Sequence, residues 1–147
     1  MLQQWVRLAL LLALVVMLPL LDPNPALAGQ EITAAVAYAG SPSFADTMAN
    51  SRTTFASSDG ISFAAFIDTD GLSWSSVTIQ AYIFDQLGKL RHVETTSFSN
   101  SFSGGLWRLG VTVGAGILPT GQYRWLVAVI GNDGTTFAST LQPLVIQ

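Results

Sequence analysis

Tyr123-Arg124-Trp125-Leu126-Val127-Ala128-Val129-Ile130 is the stretch whose reading decides the fold. Taken every second residue, Tyr123, Trp125, Val127 and Val129 fall on one side and Arg124, Leu126, Ala128 and Ile130 on the other, the period of two that a β-strand imposes. Aromatic and β-branched side chains dominate it, as on a pleated, half-buried surface. The pattern recurs upstream: Ile61, Phe63, Ala65 and Ile67 share one face of their segment, and Trp107, Leu109, Val111 and Val113 share one face of theirs.

Turn signals separate such segments at short intervals: Gly40-Ser41-Pro42, Asp59-Gly60, Asp70-Gly71, Gly88-Lys89, Gly104-Gly105, Thr120-Gly121 and Asp133-Gly134. Between them lie eight candidate strands: Glu31 to Tyr38, Arg52 to Ser57, Ile61 to Asp68, Ser76 to Asp85, Leu90 to Ser99, Leu106 to Val113, Gln122 to Gly131 and Thr135 to Ile146. Ser43 to Asn50 alone resists the pattern. Phe44, Ala45, Met48 and Ala49 would share one side of a short helix capped by Ser43, and a structured loop fits the same residues equally well. The fold class is therefore all-β. One sheet would leave its apolar face wet, so the expectation is two antiparallel sheets packed as a sandwich of about seven or eight strands, with a closed barrel as the alternative of equal period.

The N-terminus reads differently. Arg7 and the α-amino group precede an apolar run from Leu8 to Leu21, and Ala26-Leu27-Ala28 offers the small residues a signal peptidase accepts. The run falls short of the roughly twenty residues a bilayer requires. Asp22, Pro23, Asn24 and Pro25 keep the chain extended before the cleavage site. The expectation is a signal peptide over 1–28, cut near Ala28, and a single domain over 29–147 in a secreted or periplasmic, cell-envelope location. Membrane attachment would come only through an uncleaved signal segment; with no cysteine in the chain, a lipoprotein anchor is excluded.

The lack of cysteine also leaves the core to carry the fold without disulfides. The formal net charge is −3, spread over few charged residues, so no basic stripe exists for nucleic acid. Ser, Thr, Gln and Asn solvate the surface instead, a composition compatible with close association between subunits.

Pro119-Thr120-Gly121-Gln122-Tyr123-Arg124-Trp125-Leu126-Val127-Ala128-Val129, followed by the Asn132-Asp133-Gly134 turn, resembles the penultimate strand and closing hairpin of bacterial immunoglobulin-like or fibronectin type III-like sandwiches. In those families Gly-x-Tyr opens the strand and the Tyr forms a corner with nearby backbone. The run from Val77 to Lys89 is similar to a central strand and its hairpin turn in the same families. The resemblance implies an immunoglobulin-like sandwich without the paired cysteines of antibody domains. It carries over no functional residue, because such folds host many activities.

Catalysis is hard to assemble. His92 is the single histidine, which removes zinc sites built from several imidazoles or thiolates, and no Gly-x-Ser-x-Gly turn occurs to support a Ser-His-Asp set around it. The expectation is a non-enzyme with no metal and no cofactor. Asp68-Thr69-Asp70-Gly71 opens like a calcium loop but lacks an acidic residue at its far end, so it reads as a turn. Trp74, placed in a loop, is a candidate for stacking on sugar in a carbohydrate-binding module, or a buried plug at the end of the sandwich.

The remaining anomaly is apolar. If Val77, Ile79, Ala81 and Ile83 point inward, Tyr82 and Phe84 point outward, and Leu126 and Ile130 do so on a strand that is a neighbour in an immunoglobulin-like order. Tyr82, Phe84, Leu126 and Ile130 would form a patch that a solitary domain rarely leaves uncovered. Its cover is either the Ser43–Asn50 segment or a partner: another protein or a second copy of the chain.

Overall fold

A computed structural model describes residues 32–40 and 43–147; the expected signal peptide over 1–28 and Glu31, the expected start of the first strand, lie outside the described residues. Nine strands follow in order: β1 (Ile32–Ala39), β2 (Thr54–Phe55), β3 (Ile61–Asp68), β4 (Trp74–Asp85), β5 (Leu90–Phe102), β6 (Leu106–Val113), β7 (Gly121–Gly131), β8 (Thr136–Ala138) and β9 (Gln142–Ile146). They form two sheets, β1-β3-β6 and β2-β9-β7-β4-β5, with β8 also on β7. Two separate sheets make the molecule a sandwich and dispose of the barrel. Every pairing is antiparallel except the short β2–β9 contact, where Thr54 lies beside Val145 and Phe55 beside Ile146.

The faces read from alternation meet in the middle. Phe63, Ala65 and Ile67 of β3, Val77, Ile79, Ala81 and Ile83 of β4, and Trp125, Val127 and Val129 of β7 are all essentially buried. This common core stabilises at roughly 25 cal/mol for each Å² of apolar surface it withdraws from water. Tyr123 donates its hydroxyl to the Pro119 carbonyl at 2.8 Å, closing the corner that leads into β7.

β3 is buried on its reverse face too. Ala64 and Phe66 pack there with Val36 and Tyr38 of β1, and the lid is the Ser43–Asn50 segment. That segment is a run of turns rather than a helix: Thr47 N–H bonds the Ser43 carbonyl and Asn50 N–H the Asp46 carbonyl, while the Ser43 hydroxyl accepts from Asp46 N–H at 3.2 Å as an N-cap would. Two turns' worth of chain cannot hold itself together alone, and here it is held from below. Phe44 meets Phe66 edge-on at 5.4 Å, and Arg108 donates to the Ser43 carbonyl and the hydroxyl of the buried Thr47.

Four boundaries differ from the sequence reading by more than a residue. The strand expected over Leu90 to Ser99 runs on to Phe102. The strand expected over Arg52 to Ser57 shortens to Thr54–Phe55. The strand expected over Thr135 to Ile146 breaks in two, because Ser139 turns its hydroxyl onto Val127 N–H (3.0 Å) while its own N–H reaches the Val127 carbonyl (2.9 Å), and β9 re-enters the ladder only at Gln142. Trp74 starts β4 instead of lying in a loop.

Candidate interaction surface

Registry places the four patch residues on the outer face of the six-stranded sheet. Tyr82 stands directly opposite Leu126, Phe84 opposite Arg124 and Thr78 opposite Ile130. Directly opposed side chains in an antiparallel pair lie about 4.5–5.5 Å apart at Cβ and diagonal ones about 7–8 Å, so Tyr82, Phe84 and Leu126 form one group. Ile130 stands apart from it, beyond the Gln80–Ala128 rung. All four are partly exposed.

Of the two covers left open by the sequence, the internal one is corrected. Ser43 to Asn50 closes the outer face of the opposite, three-stranded sheet, because its anchors Phe66 and Arg108 project there; it does not reach Tyr82 or Leu126.

Sequence reasoning missed three members of the surface. Val93 of β5 stands opposite Tyr82 and Leu90 opposite Phe84, while Leu141, from the break between β8 and β9, joins Phe84 and Leu126 around a shallow cleft of about 250 Å³. Val93 is 38 % exposed, Leu90 and Leu141 each 47 %, and Leu87 at the tip of the β4–β5 hairpin 94 %. Leu126, Tyr82 and Val93 thus make a straight apolar row across three strands, ending at the sheet edge. Beside the row the face turns polar: Thr78 and Ser97 share a hydroxyl hydrogen bond at 2.9 Å, and the Tyr82 hydroxyl donates to Gln80 Oε1 at 2.6 Å. Alternation along β5 hides Val93, since the inner positions of that strand, His92, Glu94 and Thr96, are polar too.

Trp74 is not a sugar platform. It is 2 % exposed and lies flat against Gly131, where a Cβ would overlap the indole and stand 2.7 Å from Cδ2. Its ring packs on Phe137 at 5.8 Å. Among the described residues the buried indole N–H finds no acceptor in hydrogen-bond geometry; its proton still contributes, after the Thr135 N–H, to holding the Asp133 carboxyl below its ordinary value. This burial removes Trp74 as a stacking residue and bears out its reading as a plug at the end of the sandwich.

The carboxylates serve the turns. Asp68 accepts from Asp70 N–H, Asp70 from Gly105 N–H and Asp133 from Thr135 N–H, each near 3 Å. Among the described residues no three potential ligands come together for a metal ion. His92 lies on the inner face of β5 with Nε2 3.1 Å from Glu94 Oε2. The larger groove of about 520 Å³, between the start of β1 and β8, is lined by Thr33, Phe137, Ser139, Gln142 and their neighbours, none of them titratable.

The sequence matches no protein-family model and no curated protein. Among solved structures the chain is similar to the C-terminal domain of Wzt, at 10% identity and a TM-score of 0.56, over 81% of this chain and 74% of that domain. The fold is an immunoglobulin-like β-sandwich. The corner made by Tyr123 and the two-sheet order agree with that assignment. A putative β-galactosidase from Bacteroides fragilis (19% identity, TM-score 0.43, 74% of this chain and 16% of that one) and the CARDB domain of a Pyrococcus furiosus protein in complex with di-metal ions (11% identity, TM-score 0.39, 78% and 88%) also match. At these identities the likeness is one of fold.

Proposed function

We propose that this immunoglobulin-like sandwich is a non-catalytic binding module, secreted or held in the cell envelope, that associates with protein through the outer face of its six-stranded sheet. One observation carries the reading: the sandwich seals the outer face of its small sheet with Ser43–Asn50, yet leaves Tyr82, Phe84, Leu126, Val93, Leu90 and Leu141 in part or largely open on the large one. Apolar groups gathered on one face gain about 25 cal/mol per Å² when a partner covers them, before the cost of association.

Phe84→Lys together with Leu126→Lys tests this. The variant should melt in urea near the wild type, because both side chains face outward, and should lose the assembly that the wild type forms in sedimentation or retains on purification. Association unchanged by the double substitution would overturn the reading. Compartment is tested separately by intact mass of exported material, expected to begin at Gly29; a chain that begins at Met1 and stays in the membrane fraction would refute cleavage.

A further inference from the structure

β5 is thirteen residues long and ends the six-stranded sheet. Strands average five or six residues, and an edge of this length displays a row of backbone N–H and C=O groups for another strand to pair with. Proteins usually blunt such edges with Pro, Lys or inward-pointing charge. β5 contains neither Pro nor Lys. It does carry an inward-pointing carboxylate and imidazole: His92 stands opposite Ile83 and Glu94 opposite Ala81, both on the core side, where the three-stranded sheet leaves their side chains 24 % and 35 % exposed.

That pair of residues is self-complementary. We infer that β5 pairs antiparallel with β5 of a second copy of this chain about a two-fold axis at Val93, a partner choice that rests on the protein-binding reading above. Pairing about Val93 sets His92 against Glu94 of the second copy and Glu94 against its His92, on both sides of the axis. On the outer face it sets Val93 against Val93, so that the rows Leu126–Tyr82–Val93 of the two copies become one apolar stripe of six side chains. Neighbouring registers are penalised. An axis at Glu94 opposes two carboxylates, and like charges directly opposed across strands are destabilising; an axis at His92 sets ring against ring and leaves both Glu94 carboxylates without an imidazole opposite. The polar pair that guards the edge against other partners therefore selects one register with its own copy.

The chain's lack of cysteine allows a direct test. In the inferred pairing the two Val93 Cβ atoms lie about 4.5–5.5 Å apart, so Val93→Cys should cross-link into a covalent dimer under mild oxidation. Ser97→Cys, whose counterpart is several residues away and beyond disulfide reach, should not. The wild type should sediment as a dimer, and Val93→Lys, which opposes two ammonium groups at the axis, should weaken it by about tenfold or more while matching the wild-type urea midpoint at dilutions where both are monomers. A wild type that stays monomeric at concentrations on the order of 1 mM, or Ser97→Cys cross-linking as readily as Val93→Cys, would overturn the inference. Failure of the two readings is separable. Without the Val93→Cys cross-link, loss of assembly in Phe84→Lys/Leu126→Lys refutes edge pairing and keeps the outer-face reading; with the cross-link and no effect of that double substitution, the edge stands and the outer-face reading falls.

Discussion

Phe63 and Trp125 meet across the sandwich, their ring centroids 4.8 Å apart and their planes tilted by 54°. One comes from β3 and the other from β7, the strands that an immunoglobulin disulfide joins in domains that have one, and Trp125 follows the corner Tyr123 by two residues as the second cysteine does there. An aromatic pair thus ties the sheets where the chain has no thiols. Such a pair contributes by buried area and by about 0.5–1.5 kcal/mol of ring–ring interaction.

Trp125→Ala should therefore cost about 3–5 kcal/mol, a large part of a domain's stability. Arg124→Ala, on the exposed face one residue away, should stay within about 0.5 kcal/mol. Urea melts of the two variants check the contrast, and equal losses would mean that the facing of β7 is wrong.

Tyr123→Phe keeps the ring in the core and removes only the hydroxyl that binds the Pro119 carbonyl. The expected loss is about 1 kcal/mol, measured as a shift in urea midpoint with an unchanged slope. A change of slope would instead report that the loop before β7 opens.

Gly131→Ala adds a Cβ where the Trp74 indole already lies. Overpacking of this kind costs roughly 1–3 kcal/mol, and the upper end is expected because the indole is pinned by Phe137. In Trp74→Ala the same glycine substitution should cost much less, so the double-mutant cycle should show strong coupling.

Asp85 gives the hairpin between β4 and β5 a dependence on acidity. The Lys89 N–H, more than any other group, holds its carboxyl below the ordinary 3.8; withdrawal from water opposes this, and the Leu87 N–H and Arg91 reinforce it. A depressed carboxylate pKa contributes stability that is complete above the unfolded value and lost as pH falls through the folded one. The wild type should accordingly lose stability below about pH 4, and Asp85→Ala should lose less over that window while being weaker at neutral pH. Melts from pH 7 down to pH 2 measure the difference; parallel curves would refute it.

β3, β4, β6 and β7 were legible in the sequence because one face of each is apolar at strict period two, and burial enforces that register. The Tyr123 corner was legible for a second reason, the resemblance of Gly121-Gln122-Tyr123 to the opening of that strand in immunoglobulin-like sandwiches. What escaped was decided by single hydrogen bonds or by packing from afar. The hydroxyl of Ser139 breaks the last strand, and nothing in Thr135 to Ile146 announces that. Trp74 looked like a loop residue because its strand begins with it, and Gly131, which makes room for it, is 57 positions away in the chain, the separation of residues 74 and 131. The surface was half legible. Tyr82, Phe84 and Leu126 follow from alternation and strand order, but Val93 and Leu141 depend on the register of an edge strand with two polar faces and on the position of a strand break.

The turn that Phe44 and Arg108 fasten over the small sheet gives the molecule handed sides. A building block open on both faces can be laid on the next one without end, which is how heterologous contacts produce filaments. With one face shuttered, a copy laid face to face on another uses up the open side of both. Growth through the broad faces then terminates at two, and any larger assembly has to extend sideways, along sheet edges.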